Sequence, residues 1–365
     1  MVEGQKIKIA IVGTAGVPSN YGGFETLAEN LVKHNIYKAI DVSYIVFCSK
    51  KNYKKRIPKY FFAKLIYIPI NANGIQSIGY DLISIIISMI YKVNSILLLG
   101  VSGAIALPFI KKISSVKIIT NIDGIEWRRQ KWSWFAKQLL RILEKIAVKY
   151  SHEIIADNEA IAEYIKDKYK RTAQVIPYGG DHAIEVEAKN VSSLELPEKF
   201  ALSICRIEPE NNIDIILDAF SKINSYSLVI IGNWDSNQYG RRLRKKYSKF
   251  SNIVMMNPIY DLKILKAIRE RCIYYIHGHS AGGTNPSLVE AMHFGKPILA
   301  YDCIFNRKTT ENKAIYFKTS EELKNRILLM DERSVYRISN DMKEIARRCY
   351  IWSKVAEQYM KLLIE

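Results

Sequence analysis

Tyr275-Ile-His277-Gly-His279-Ser-Ala-Gly282-Gly283-Thr284-Asn285-Pro286-Ser287-Leu288-Val289-Glu290 passes from a short apolar run through a Gly-Gly loop into a segment predicted to start a helix near Pro286. Strand, loop and helix in that order form the repeating unit of a parallel sheet covered by helices. Such a junction is also an anion site, because loop amides and the positive end of the helix dipole converge there. Gly282, Gly283, Thr284, Asn285, Ser287 and Leu288 are the candidates to hold that anion. Glu290 falls one turn into the helix, where it could bond ribose hydroxyls or simply face solvent. His277 and His279 stand two apart with no third ligand nearby, so a metal is not expected.

Working outward, the alternation repeats. Apolar, β-branched runs predict strands near Phe200–Ile204, Ser227–Ile231, Asn252–Met256, Cys272–Ile276, Pro297–Ala300 and Ala314–Phe317. An earlier series predicts strands near Lys6–Val12, Val42–Phe47, Lys64–Ile68, Ser95–Leu99, Lys117–Thr120, Glu153–Ala156 and Gln174–Ile176. Helices fill the gaps, among them Phe24–Lys33 and Trp134–Lys149. The expected fold is α/β, with two Rossmann-like, doubly wound domains facing a central cleft. Residues 1–181 make the first domain, 182–198 a linker and 199–351 the second domain. Residues 352–365 read as a terminal helix, with Val355, Tyr359 and Leu362 on one stripe, packing back towards the first domain.

A chain of 365 residues is long enough for two cores. The five cysteines, Cys48, Cys205, Cys272, Cys303 and Cys349, are odd in number and show no CxxC spacing. Reduced, mostly buried thiols in a reducing compartment are expected. The N-terminus runs into a strand without the architecture of a signal peptide. The most hydrophobic stretch, Ile75–Ile110, is interrupted by Asp81, Lys92, Asn94 and Pro108, so it does not supply the about 20 apolar residues of a membrane span. The net charge of +18 is uneven: residues 51–150 hold 17 Lys and Arg against 4 Asp and Glu. A general bias towards lysine would spread evenly, so the clustering predicts a basic face for an anionic partner. No nucleic-acid motif accompanies it, and nucleic acid is not the expected partner.

Two further clusters suggest chemistry. Gly13-Thr-Ala-Gly16-Val-Pro-Ser-Asn-Tyr-Gly22-Gly23-Phe-Glu-Thr26 follows the first strand, and its glycines would let the backbone approach a phosphate or sugar. A dinucleotide is disfavoured, because the spacing is not GxGxxG and the second strand ends Phe47-Cys-Ser-Lys50 without an acid for the ribose. In Ser203-Ile-Cys-Arg206-Ile-Glu-Pro-Glu-Asn211-Asn, Arg206 closes the first strand of the second domain, where its guanidinium could neutralise a diphosphate.

Together these segments resemble glycosyltransferase family 4, retaining enzymes of the GT-B fold. The resemblance runs from the glycine loop to Tyr350-Ile-Trp352-Ser-Lys-Val-Ala. It is closer to a bacterial branch that includes rhamnosyltransferases of capsule and cell-wall polysaccharide synthesis. Tyr21-Gly-Gly-Phe-Glu-Thr26, Asn121-Ile-Asp-Gly-Ile-Glu-Trp127, Arg206-Ile-Glu-Pro-Glu-Asn-Asn212 and Gly282-Gly-Thr-Asn-Pro-Ser-Leu-Val-Glu290 carry that closer match. The resemblance implies an acceptor-side first domain and a nucleotide-sugar-binding second domain. Its donor site maps onto Gly22, Gly23, Arg206, Asn211, His277, Gly282, Gly283, Thr284, Asn285, Ser287, Leu288 and Glu290. Two departures stand out: the first of the family's paired glutamates is replaced by Gly282, and the second of its paired cations by Asn211. A deoxy sugar lacking the usual hydroxyls is compatible with the first loss, so the expected donor is dTDP-rhamnose, with a UDP-hexose as the alternative.

No Asp-x-Asp occurs, so a metal-independent reaction without a cofactor is expected. Arg206 and the helix terminus before Ser287 would stabilise the leaving diphosphate, and Asp123 would orient or deprotonate the acceptor hydroxyl. The alternative for Asp123 is an ordinary Asp-Gly turn residue. A GT-B-shaped sugar-nucleotide epimerase or phosphorylase and a catalytically silent interaction protein are the rival readings. The acceptor is expected to be a lipid-linked saccharide, met by a cytoplasmic enzyme bound peripherally to the inner leaflet. Arg128, Arg129, Lys131 and Trp132 are its expected acceptor or membrane contacts. Beyond them a helix carries Lys137, Arg141, Lys145 and Lys149 in one stripe, while Leu139, Leu140, Ile142, Leu143 and Ile146 are expected to pack on the sheet.

Overall fold

The computed structural model describes residues 7–19, 22–34, 41–129 and 132–365. It divides into two compact units: Met1–Tyr178 with Trp352–Glu365, and Gly179–Ile351. In chain order the first stretch holds β1 (Ile7–Val12), α1 (Gly23–Lys33), β2 (Val42–Ser49), β3 (Lys59–Tyr60), β4 (Ala63–Ile68), α2 (Ser77–Ile90), β5 (Ser95–Leu99), α3 (Leu107–Ile113), β6 (Lys117–Ile122), α4 (Trp134–Tyr150), β7 (Glu153–Ala156), α5 (Glu159–Tyr169) and β8 (Gln174–Val175). The second unit holds α6 (His182–Glu185), β9 (Phe200–Ile204), α7 (Ile213–Phe220), β10 (Ser227–Ile231), α8 (Gln238–Tyr247), β11 (Ile253–Met256), α9 (Leu262–Arg271), β12 (Tyr274–His277), α10 (Pro286–His293), β13 (Ile298–Tyr301), α11 (Ile304–Thr309), β14 (Ile315–Phe317), α12 (Ser320–Leu328) and α13 (Glu332–Cys349). The last helix, α14 (Trp352–Ile364), belongs to the first unit.

The first sheet runs β3-β4-β2-β1-β5-β6-β7-β8, parallel throughout except for the β3–β4 pair. Its central strands are mostly apolar and buried, as parallel strands covered on both faces are; every residue of β5 is buried. The chain steps the same way across the sheet from β4 to β5, β5 to β6 and β6 to β7. Right-handed crossovers therefore put α2, α3 and α4 on one face. On that face Tyr80, Ile85, Ala104, Leu107, Ile110 and Ala147 share a core with Ala10, Ile96, Leu98 and Ile118. The step from β1 to β2 is opposite, so α1 lies on the other face, where α14 packs against α1, β5 and β6.

One helix departs from expectation. Only Leu143, Glu144, Ala147 and Val148 of α4 are buried, whereas Leu139 and Ile142, expected on the sheet, are exposed beside Trp134 and Phe135. Strand ends also shift: β6 runs two residues beyond the expected Thr120, and β12 starts at Tyr274 rather than Cys272. Among the described residues no helix is long and apolar enough to cross a membrane.

The second sheet, β11-β10-β9-β12-β13-β14, is wholly parallel. Its core gathers Ile207, Ile216, Leu217, Phe220 and Trp234 over Leu228, Ile230, Ile276 and Leu299. The chain winds from β9 towards β11, then restarts at β12 beside β9 and winds towards β14. The order reverses between β9 and β12, and in doubly wound sheets the crevice at the strand ends beside such a reversal is where ligands bind.

Candidate active site

The loops after β9 and β12 meet at that reversal. Asn212 donates its side-chain amide to the Gly278 carbonyl at 2.7 Å, and Ser280 donates both its backbone N–H and its hydroxyl to the Glu210 carbonyl at 2.9 Å. The approach is so close that a Cβ on Gly278 would lie 2.0 Å from the Asn211 carbonyl oxygen, so glycine is required there. Asn211 locks the corner. Its amide donates to the Arg206 carbonyl at 2.7 Å, and its Oδ1 lies 2.8 Å from His279 Nδ1, which must carry the proton. Asn211 is buried with both amide ends engaged, so it shapes the loop under Arg206 rather than supplying the contact a second cation would. The Arg206 side chain itself is 39% exposed, with Glu208 3.9 Å away. His277, at the end of β12, is buried and its Nε2 has no hydrogen-bond partner.

The helix terminus is more self-contained than its sequence implies. Asn285 caps α10: its Oδ1 accepts from the Ser287 N–H at 3.0 Å and from the Ser287 hydroxyl at 2.8 Å, while its carbonyl accepts from Leu288 N–H at 3.0 Å. These first amides, expected to face an anion, are engaged within the protein. The turn through Gly282, with φ of 112°, and the neighbouring Gly283 lead into that capped end, with Thr284 buried beneath.

Glu290 does not face solvent. Its side chain is 14% exposed and pairs with the buried guanidinium of Arg269 on α9, while His182 Nε2 lies 3.4 Å from its other oxygen. Burial alone would raise the Glu290 carboxyl, but Arg269 and His182 more than reverse this and hold it at about 2. Sequence reading missed both partners. His182 is delivered by Gly180, whose absent Cβ would lie 2.7 Å from the Val289 backbone, so the Gly-Gly step before His182 was the available signal. Arg269 gave none, being one of many basic residues on an amphipathic helix.

The first unit places Asp123 directly after β6. Burial first, and then the charges of Asp123 and Asp157, push the enclosed Tyr178 hydroxyl well above the ordinary phenol range. Asp157, buried at the end of β7, went unnoticed in the sequence. Gly22, expected with Gly23 to contact the donor, has a task within the loop itself. Gly22, with φ of 135°, leaves room for the Glu25 side chain, whose Oε2 would lie 1.9 Å from any Cβ there. Glu25 then accepts the Ala15 N–H and Glu29 the Ser19 N–H, each at 2.8 Å. The Ala15 and Ser19 amides thus already meet carboxylates.

Lys131 lies outside the described residues, as does Tyr21. Of the other expected membrane contacts, Arg129 pairs with Glu126 at 3.0 Å and Trp132 donates its indole N–H to the same carboxylate at 3.0 Å. Arg128 lies over the rings of Trp127 and Tyr164. Trp127 donates to the buried Glu144, which also accepts from Tyr164, Tyr169 and Lys168, and Arg141 covers its ring at 4.1 Å. The described part of this aromatic-basic segment folds around its own acids, Glu126 and Glu144.

Acid titration provides a check on the second unit. Burial, with His279 adding to it, pushes the His277 imidazole down to about 3. His277 and Glu290 both bind protons less readily folded than unfolded, so both lose stability on acidification: His277 from its usual 6.5 towards 3, Glu290 from 4.5 towards 2. Between pH 6.5 and about 5 the Glu290 window is still closed, and His293 and His152, whose imidazoles burial also holds down, share the His277 window, so His277 accounts for part of the fall. His277→Gln is expected to flatten the fall of Tm there, and a slope equal to wild type would remove His277 from the account.

Comparison with known proteins follows the two-unit division. Residues 186–348 match the family described as glycosyl transferases group 1, and residues 6–181 match a domain of unknown function, DUF1972. An uncharacterized glycosyltransferase of Haemophilus influenzae is 22% identical over 357 residues, covering 94% of this chain and 96% of the relative. Sucrose-phosphate synthase from Thermosynechococcus elongatus superposes with a TM-score of 0.81 at 15% identity over 98% of each chain. Anabaena HepE in complex with UDP-glucose does so with a TM-score of 0.71 at 15% identity, over 98% of this chain and 99% of that one. The chain is a glycosyltransferase, and its fold is GT-B.

Proposed function

We propose that this glycosyltransferase takes a sugar from a nucleoside-diphosphate donor and transfers it, with retention, to a saccharide acceptor. The observation that carries the donor reading is the meeting of the Arg206 loop and the His277–Gly283 loop at the strand reversal of the second unit. A guanidinium there, with little internal competition, suits a departing diphosphate, and the dipole of α10 adds positive potential. Charge builds on the β-phosphate as the anomeric C–O bond breaks and an oxocarbenium-like sugar forms; Arg206 is assigned to that charge. Asp123, at a strand end of the first unit, is assigned to the acceptor hydroxyl, whose oxygen attacks the anomeric carbon while its proton passes to the Asp123 carboxylate. HepE, solved with UDP and with UDP-glucose, supports a nucleotide sugar as donor.

For the donor's identity we favour dTDP-rhamnose, on the branch resemblance and on Gly282 in place of a sugar-binding glutamate. The HepE complexes favour a UDP-hexose as the second reading. A thermal-shift panel of dTDP-rhamnose, UDP-glucose and UDP-N-acetylglucosamine decides, since a ligand bound only by the native state raises Tm. Stabilisation and turnover selective for dTDP-rhamnose are expected, and selective use of a UDP-hexose would refute it. The acceptor is proposed to be lipid-linked and met at the inner leaflet of the cell membrane. Turnover is expected to survive EDTA, with Arg206 doing the work of a divalent ion. Complete loss on chelation, restored by magnesium or manganese, would show that the diphosphate site needs a metal.

A further inference from the structure

We propose that the outer surface of α2, α3 and α4 is an apolar platform that inserts into an anionic lipid bilayer. The inference deepens the reading of a membrane-presented acceptor and rests on it only for the presence of a membrane. The three helices lie side by side on one face of the first sheet, joined through the short turn Ser102–Ala106. Each shows solvent a row of large apolar residues at one-turn spacing. On α2 the row is Leu82, Ile86 and Ile90, the last 72% exposed. Along the turn and α3 it is Ile105, Phe109 and Ile113. On α4 it is Phe135, Leu139 and Ile142, with Trp134 alongside and Phe135 79% exposed. Three parallel rows on one surface make a broad patch, where scattered single exposures would have needed no explanation.

Charge identifies the occupant. The only carboxylates on these three helices are Asp81 and Glu144, and both are buried. What accompanies the apolar rows at the surface is cationic: Lys111 and Lys112 on α3, and Lys145 and Lys149 on α4. An apolar face bordered by cations and free of exposed acid matches a layer with anionic headgroups above hydrocarbon. This surface differs from the Trp127–Trp132 segment, whose cations are engaged with Glu126, Trp127 and Tyr164.

Vesicle sedimentation of the full chain tests this, using phosphatidylcholine vesicles with and without phosphatidylglycerol. Wild type is expected to bind the anionic vesicles, and Ile86→Glu, Phe109→Glu and Phe135→Glu each to weaken binding more than about tenfold with Tm unchanged. Acyl chains carrying bromine should quench indole fluorescence, and Trp134→Phe should remove most of that quenching. If wild type ignores anionic vesicles, the membrane reading fails and the platform with it. If wild type binds, the three glutamate variants bind equally and Arg128→Gln/Arg129→Gln alone abolishes binding, the membrane reading stands and the platform is wrong. A vesicle-indifferent dimer that the glutamate variants turn into monomers would show a second copy covering the surface, and would also overturn the proposal.

Discussion

Glu290→Ala is expected to lower the unfolding free energy by about 3–5 kcal/mol, because it leaves the Arg269 guanidinium charged, buried and unopposed. Arg269 is 2% exposed, its Nε and Nη1 have no hydrogen-bond partner among the described residues, and Glu290 is the acid paired with it there. For a unit of this size the loss corresponds to a fall in Tm of roughly 6–20 °C. The proposed ribose contact would be lost as well, so activity alone cannot interpret the variant. Arg269→Met combined with Glu290→Leu separates the two effects, since replacing both ions by apolar groups is often near neutral. The pair should melt near wild type and bind the nucleotide poorly. A Glu290→Ala protein that melts with wild type would mean that Arg269 is not held by this acid.

Arg206→Ala is expected to lower kcat by about 10²–10³ while leaving Tm close to wild type. The stability half follows from geometry: the side chain is partly exposed, and a Glu208 oxygen at 3.9 Å in that setting contributes little. The rate half follows from its assignment to charge that grows on the leaving diphosphate, an interaction stronger in the transition state than in the ground state. Arg206→Lys should recover only part of the rate, because an ammonium lacks the fork that matches two phosphate oxygens. Steady-state kinetics on a folded Arg206→Ala enzyme check both halves together. Wild-type turnover would remove Arg206 from the chemistry.

These two residues show where sequence reading reaches and where it stops. Arg206 was legible because its position follows from one strand, and a strand such as Phe200–Ile204 announces itself by a short, mostly apolar run. The same signal located Ser95–Leu99 to the residue. Glu290 was legible as a residue but not as an environment, since its partner Arg269 comes from a helix 21 positions earlier and only the folded unit brings them together. Backbone satisfaction was equally hidden. Nothing in the glycine loop reveals that Glu25 and Glu29 take its amides, or that Asn285 takes those of α10. The two-residue strand Lys59–Tyr60 is too short for periodicity to register. On α4, hydrophobicity alone could not separate the residues that pack inward, Leu143 and Ala147, from Phe135 and Ile142, which do not.

The placement of α14 has a consequence for how the molecule is made. Tyr44 donates to the Met360 sulfur, Ser95 to the Leu363 carbonyl and Asn121 to the Tyr359 hydroxyl, and Trp352, Val355 and Met360 are buried in the first unit. The second unit is therefore an insertion, leaving the first after Tyr178 and returning at Trp352. During synthesis the second unit has all its strands and helices before the first has its last helix. A ribosome that has finished residues 1–178 has made a sheet one face of which carries α1 but still lacks α14. The half translated first is the half completed last.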